Sequence, residues 1–82
     1  MVRLGVKQFE VLKLLCEKGT VEFNEIADKY GRMAGAQILH RLKRKKLAFS
    51  PLWGIWSATP EGVEVYQEVS AILTKRREAN EG

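Results

Sequence analysis

Residues Arg32 to Leu47, reading RMAGAQILHRLKRKKL, hold most of the chemistry that the spacing of this chain makes available. Six of them are Lys or Arg (Arg32, Arg41, Lys43, Arg44, Lys45, Lys46), and none is Asp or Glu. Ala36, Leu39 and Leu42 recur at a spacing of three, with Ile38 beside them. That pattern predicts an amphipathic helix over about Met33 to Lys46, apolar along an inner seam and cationic outside. Such a face suits a polyanion better than a small substrate. With Ala36, Leu39 and Leu42 inward, the outward set is Arg32, Met33, Gln37, His40, Arg41 and Arg44. A helix laid in a DNA major groove presents its outward side chains to base edges. Gln37 can pair bidentately with adenine and Arg41 or Arg44 with guanine, each contact giving ~1–3 kcal/mol of discrimination. Gln37, His40, Arg41 and Arg44 are therefore the candidate base readers. Arg32, Lys43, Lys45 and Lys46 are the candidates for phosphate. Ala34 and Gly35 are small enough to let the start of the helix approach DNA closely.

Other chemistries find little support. A Ser/His/Asp arrangement, Cys/His metal spacing and a glycine-rich phosphate loop are all missing from the sequence, so neither an enzyme nor a cofactor is expected. His40 has no carboxylate or Cys partner in motif spacing. The acids Glu22-Glu25-Asp28 and Glu61-Glu64-Glu68 sit at helical spacing and read as solvated faces. The 82 residues suffice for one small domain. With 45% hydrophobic and 29% charged residues the chain should fold, and its net charge of +4 favours an anionic partner. The single Cys16 excludes an internal disulfide and fits a reducing compartment. No apolar run approaches the ~18 residues of a membrane span, and the N-terminus has no signal-peptide pattern. A cytoplasmic protein without membrane contact is expected.

The elements around this stretch follow from periodicity and punctuation. A first helix is predicted over about Gly5 to Lys18, with Val6, Phe9, Leu12 and Cys16 as its stripe, Val11, Leu14 and Leu15 widening it, and Gly19 as its stop. Cys16 on that seam is expected to be core. Thr20-Val21-Glu22 reads as an extended link. A second helix, roughly Glu22 to Tyr30, places Phe23, Ile26, Ala27 and Tyr30 on one face and ends at Gly31. After the cationic helix, Leu47 to Ser50 and Ile55 to Ala58 are β-compatible, and Pro51-Leu52-Trp53-Gly54 between them makes a hairpin. Trp56 and Ala58 share the inward face of their strand, leaving Trp53 exposed at the turn. Thr59-Pro60-Glu61 then starts a fourth helix, with Thr as N-cap and Pro at the first helical position. It should end near Lys75-Arg76-Arg77, leaving Glu78 to Gly82 frayed.

Helix, helix, helix, hairpin, helix, mostly α with a small β-hairpin, resembles the winged helix-turn-helix family over about Gly5 to Arg77. Phe23 to Gly31 is similar to the positioning helix and turn of that family, and Ile38 to Leu47 to its recognition helix and exit into the wing. Trp56 to Gly62 looks like the strand-to-helix step of its MarR-like and PadR-like branches. The resemblance implies a sequence-specific regulator that binds double-stranded DNA with its third helix in the major groove. Short free-standing proteins of this type are familiar as archaeal, plasmid and archaeal-viral regulators.

The family pattern also implies cations on the wing, and here the chain departs from it: Leu47 to Pro60 contains no Lys or Arg. Leu52 and Trp53 at the wing tip therefore suggest an alternative, a module that binds protein through its wing and last helix. Nonspecific, chromatin-like DNA binding is a further alternative. The last helix carries Val65, Tyr66, Val69, Ile72 and Leu73, more apolar surface than one small core needs. These residues are the candidate homodimer interface, in a helix spanning about 60 to 77.

Overall fold

The computed structural model describes residues 4–81, with side chains from 4 to 74. In chain order the elements are α1 (Val6–Lys18), β1 (Thr20–Glu22), α2 (Phe23–Tyr30), α3 (Arg32–Arg44), β2 (Ala48–Leu52), β3 (Ile55–Ala58) and α4 (Pro60–Glu81). All four predicted helices and the hairpin are present. The supposed link Thr20–Glu22 is itself a strand. It pairs antiparallel with β3, Val21 opposite Trp56, giving a three-stranded sheet in the order β1-β3-β2. Three residues are too few to carry an alternating pattern, and only pairing with a distant strand defines β1. The expected frayed tail also differs, since α4 continues through Glu81 and has no basic residue in its last turn.

The core is formed by Val11, Leu12 and Leu15 of α1, Val21, Ile26, Ile38, Leu39, Leu42, Leu47, Ala48 and Trp56. The buried seam of α1 is therefore rotated from the predicted stripe: Val6 is 78% exposed, and Phe9 and Cys16 are only partly covered. Burial, then the neighbouring Glu17 carboxylate, pushes the Cys16 thiol above its ordinary range. It is protonated and a poor nucleophile near neutral pH.

Helix ends follow local chemistry. Gly19 and Gly31 both take positive φ, 83° and 91°, immediately after α1 and α2. Gly31 alone separates α2 from α3. The end of α3 is less conventional. The Lys46 N–H donates to the Lys43 carbonyl at 3.0 Å and the Leu47 N–H to the Leu42 carbonyl at 2.9 Å, the paired bonds of a Schellman ending. The residue in the left-handed position is Lys46, at φ 63°. A side chain there costs about 1 kcal/mol that glycine would not. Lys46→Gly is expected to raise Tm by about 4–8 °C, read by thermal denaturation followed by circular dichroism. An unchanged or lower Tm would mean that the lysine relieves its own backbone cost.

At the start of α4 the Thr59 hydroxyl serves twice. Its oxygen accepts the Gly62 N–H at 2.9 Å, the predicted N-cap, and its proton goes to the Lys46 carbonyl at 2.7 Å. The Thr59 N–H donates to the Leu47 carbonyl at 3.0 Å. These bonds tie the first turn of α4 to the exit of α3. Gly62 is buried at the junction, where a Cβ would collide with the Leu47 carbonyl oxygen and lie 3.3 Å from Leu12 Cδ1.

Candidate nucleic-acid interface

The inner seam of α3 is Gly35, Ile38, Leu39 and Leu42, all buried. Ala36, expected on the seam, lies toward the outer face and lines a groove with Gln37, His40, Arg41, Lys43 and Arg44. The displacement follows from Gly35. A Cβ at that position would lie 3.1 Å from Ile26 Cγ2, so the missing side chain is what lets α2 and α3 pack closely. Gly35 serves that helix contact and faces the protein rather than a DNA surface.

At about 100° per residue, the residues opposite this seam are Met33, Gln37, His40 and Arg44. All four are exposed. Arg32 and Lys43 flank them on the side facing the hairpin, and Arg41 flanks them on the side facing the start of α1. Lys46 is exposed beyond the helix end. The expected base-reading and phosphate residues thus share one surface, with one difference. Lys45 is half-buried and its Nζ donates to Gln8 Oε1 of α1 at 2.7 Å, so part of its role is to hold α3 against α1. No ion pair involves Arg32, Arg41, Lys43, Arg44 or Lys46 among the described residues, where Lys18 and Glu25 form a pair at 3.1 Å away from this face.

The hairpin stands beside α3. A cavity of about 760 Å³ separates them, with Arg32, Ala36, His40 and Lys43 on the helix wall and Trp53, Ile55 and Trp56 on the hairpin wall. The His40 ring meets the Trp56 ring edge-on, centroids 6.0 Å apart at 82°. Trp56 is buried, as its register implies, whereas Trp53 is 100% and Leu52 70% exposed. The two strands pair Phe49 with Ser57 and Leu52 with Ile55. Ser50 and Pro51 therefore form a bulge opposite Trp56, which the sequence did not announce although Pro51 cannot donate to the ladder.

The molecule is thus a tight helix-turn-helix whose second helix exposes a cationic face, beside a hairpin and a closing helix. It superposes on NadR in complex with 4-hydroxyphenylacetate with a TM-score of 0.83, at 27% identity over 96% of this chain and 62% of that one. The fold is a winged helix, similar to that of NadR. Ligand-free NadR gives a TM-score of 0.81 at 28% identity, covering 96% of this chain and 61% of NadR. A variant of ZitR from Lactococcus lactis gives 0.77 at 25% identity, covering 98% of this chain and 60% of ZitR. This winged helix spans about three fifths of the length of those proteins. No family model matches it, and no curated protein matches its sequence.

Beyond the cationic face, two features bear on other functions. Among the described residues no three His, Cys, Asp or Glu side chains are grouped to hold a metal ion, and no helix is long and apolar enough to cross a membrane. The Tyr30 hydroxyl donates to Glu10 Oε2 at 2.7 Å. Burial, then that bond and the carboxylate charge, push the phenol up to about 12. It stays protonated throughout the physiological range and ties α2 to α1.

Of the candidate dimer residues, Val65 and Tyr66 pack against the core, and Tyr66 faces the Phe9 ring at 5.7 Å. Val69 is half-buried, while Ile72 and Leu73 are 37% and 48% exposed.

Proposed function

We propose that this protein is a sequence-specific, DNA-binding transcriptional regulator that acts as a homodimer. The observation that carries the reading is the outer face of α3, where Arg32, Arg41, Lys43 and Arg44 are all exposed and no acid lies within the helix. The likeness to NadR and ZitR, both MarR-type regulators, supports it. In this reading Gln37, His40 and Arg44 meet base edges, and Arg41 reaches them from one flank or takes the adjoining phosphate. Arg32, Lys43 and Lys46 neutralise phosphates along the edges of the groove. Lys45 adds charge while holding α1. Ile72 and Leu73, with Val69, meet their counterparts on a second copy, while Val65 and Tyr66 support the helix from inside. Two-fold pairing would set two recognition helices on half-sites about one helical turn apart.

Fluorescence anisotropy with a labelled random duplex, titrated at several salt concentrations, tests the reading. Submicromolar binding is expected, with a log–log salt slope of about −4 or steeper, because each neutralised phosphate releases about 0.9 of a counterion. No binding at ~50 mM salt would leave the face as solvated surface. Sedimentation of the same complex should give two copies per duplex, and a single copy would remove the dimer. Equal affinity for every duplex would reduce the function to nonspecific binding.

A further inference from the structure

The wing has no cation with which to follow a phosphate backbone, yet its tip holds the most exposed large apolar side chain among the described residues. Trp53 is 100% and Leu52 70% accessible, next to each other at the turn. The tip is held firmly. Ser50 Oγ lies 2.7 Å from the carbonyl oxygens of both Leu52 and Ile55 and shares its proton between them. The Phe23 N–H at the start of α2 donates to the Gly54 carbonyl at 2.8 Å. Gly54 makes the turn at φ 78°. An indole and an isobutyl group held out in water at the end of a braced hairpin are available to an occupant that covers them.

Charge and area both favour duplex DNA as that occupant. The wall of the cavity facing Trp53 carries Arg32 and Lys43 beside His40, with Glu22 the one acid in the lining, so a sugar–phosphate backbone running between α3 and the wing meets two cations on one side and the indole on the other. Two side chains offer only a few hundred Å², well short of the ~800 Å² per partner of a standard protein interface. One or two apolar side chains suffice as a wedge in the minor groove, where, alongside polar contacts made elsewhere, they enter between base pairs, unstack a step and bend the duplex. Resting on the DNA-binding reading above, we propose that Leu52 and Trp53 form an apolar wedge that enters the minor groove beside the site read by α3, partly unstacking one base step and bending the DNA. The bulge at Ser50 and Pro51 re-aims the strand leading to this tip, and the bracing bonds limit the ordering entropy lost on insertion.

The test uses the full chain and a short duplex carrying a donor and an acceptor dye at its two ends. Wild-type protein should increase energy transfer on binding and lower acrylamide quenching of the Trp53 emission, obtained as the difference between wild type and Trp53→Phe. Trp53→Ala should bind about tenfold more weakly, with the same salt slope and little bending. Trp53→Phe should restore part of the bend. Trp53→Ala that bends the duplex as wild type does, or a Trp53 that stays equally accessible to acrylamide in the complex, would overturn the wedge and leave the tip to a protein partner. If the wild type binds no duplex at any salt concentration, the DNA-binding reading itself fails and the wedge falls with it. Circular dichroism of both variants should match wild type, because an indole in open solvent contributes no packing.

Discussion

Gly62→Ala is expected to destabilise the domain by about 3 kcal/mol, lowering Tm by about 12–24 °C for a domain of this size. Gly62 lies inside the first turn of α4, and in an exposed helix interior the same exchange would stabilise by ~1 kcal/mol. The sign reverses because the new methyl group would collide with the Leu47 carbonyl oxygen and crowd Leu12 Cδ1. Neither neighbour yields easily. Leu47 and Leu12 are both essentially inaccessible, and the Leu47 carbonyl accepts the Thr59 N–H. Relief requires the first turn of α4 to lift away, which breaks the Thr59 bonds to Lys46 and Leu47 together. Chemical denaturation of wild type and variant measures the difference directly. A Gly62→Ala protein as stable as wild type would show that α4 can move off the α3–β2 junction at little cost.

The largest functional effect is expected at Arg44. It is exposed in the last turn of α3, on the side opposite the buried seam. A bidentate contact from that position to a guanine would make Arg44→Ala lose about 1–3 kcal/mol on the preferred sequence, about 5- to 150-fold in affinity. Binding to random duplexes should fall much less. Lys43→Ala provides the contrast. Lys43 lies on the flank facing the wing, so its loss should weaken all sequences alike and flatten the salt slope by about one. Lys45→Ala is a poorer phosphate probe, because it also removes the bond to Gln8. Paired titrations on preferred and random duplexes separate the effects. Equal losses on both duplexes for Arg44→Ala would make it a phosphate contact and move base reading to Gln37 and His40.

At Gly62 and Lys46 the folded structure overrides what local sequence rules favour. A sequence rule treats glycine inside a helix as a weakness and lysine at a helix end as favourable. At Gly62 a carbonyl from the α3–β2 junction reverses the first judgement, and at Lys46 a positive φ reverses the second. Gly35 belongs with them. Its smallness suggested close approach to DNA, but Ile26 of α2 occupies the space beside it.

What the sequence determined by itself was the set of helices, the hairpin and the cationic character of α3. Apolar spacing sets which stretches are helical, Gly19 and Gly31 stop two of them, and Thr59-Pro60 starts the last. Charge is written directly in the residue types, so the candidate surface was legible before its geometry. Only the tertiary structure decided which sides of the helices are buried. Val6 and Ala36 fit an apolar stripe as well as Val11 and Gly35 do, and packing against α2 and the sheet chose between them. The same holds for β1, which exists because Val21 finds Trp56 across the sheet, and for Lys45, bonded to a residue 37 positions away. Periodicity is a local property of the chain and survives in its sequence. The partner that covers a given side chain comes from elsewhere in the chain, and folding alone brings the two together.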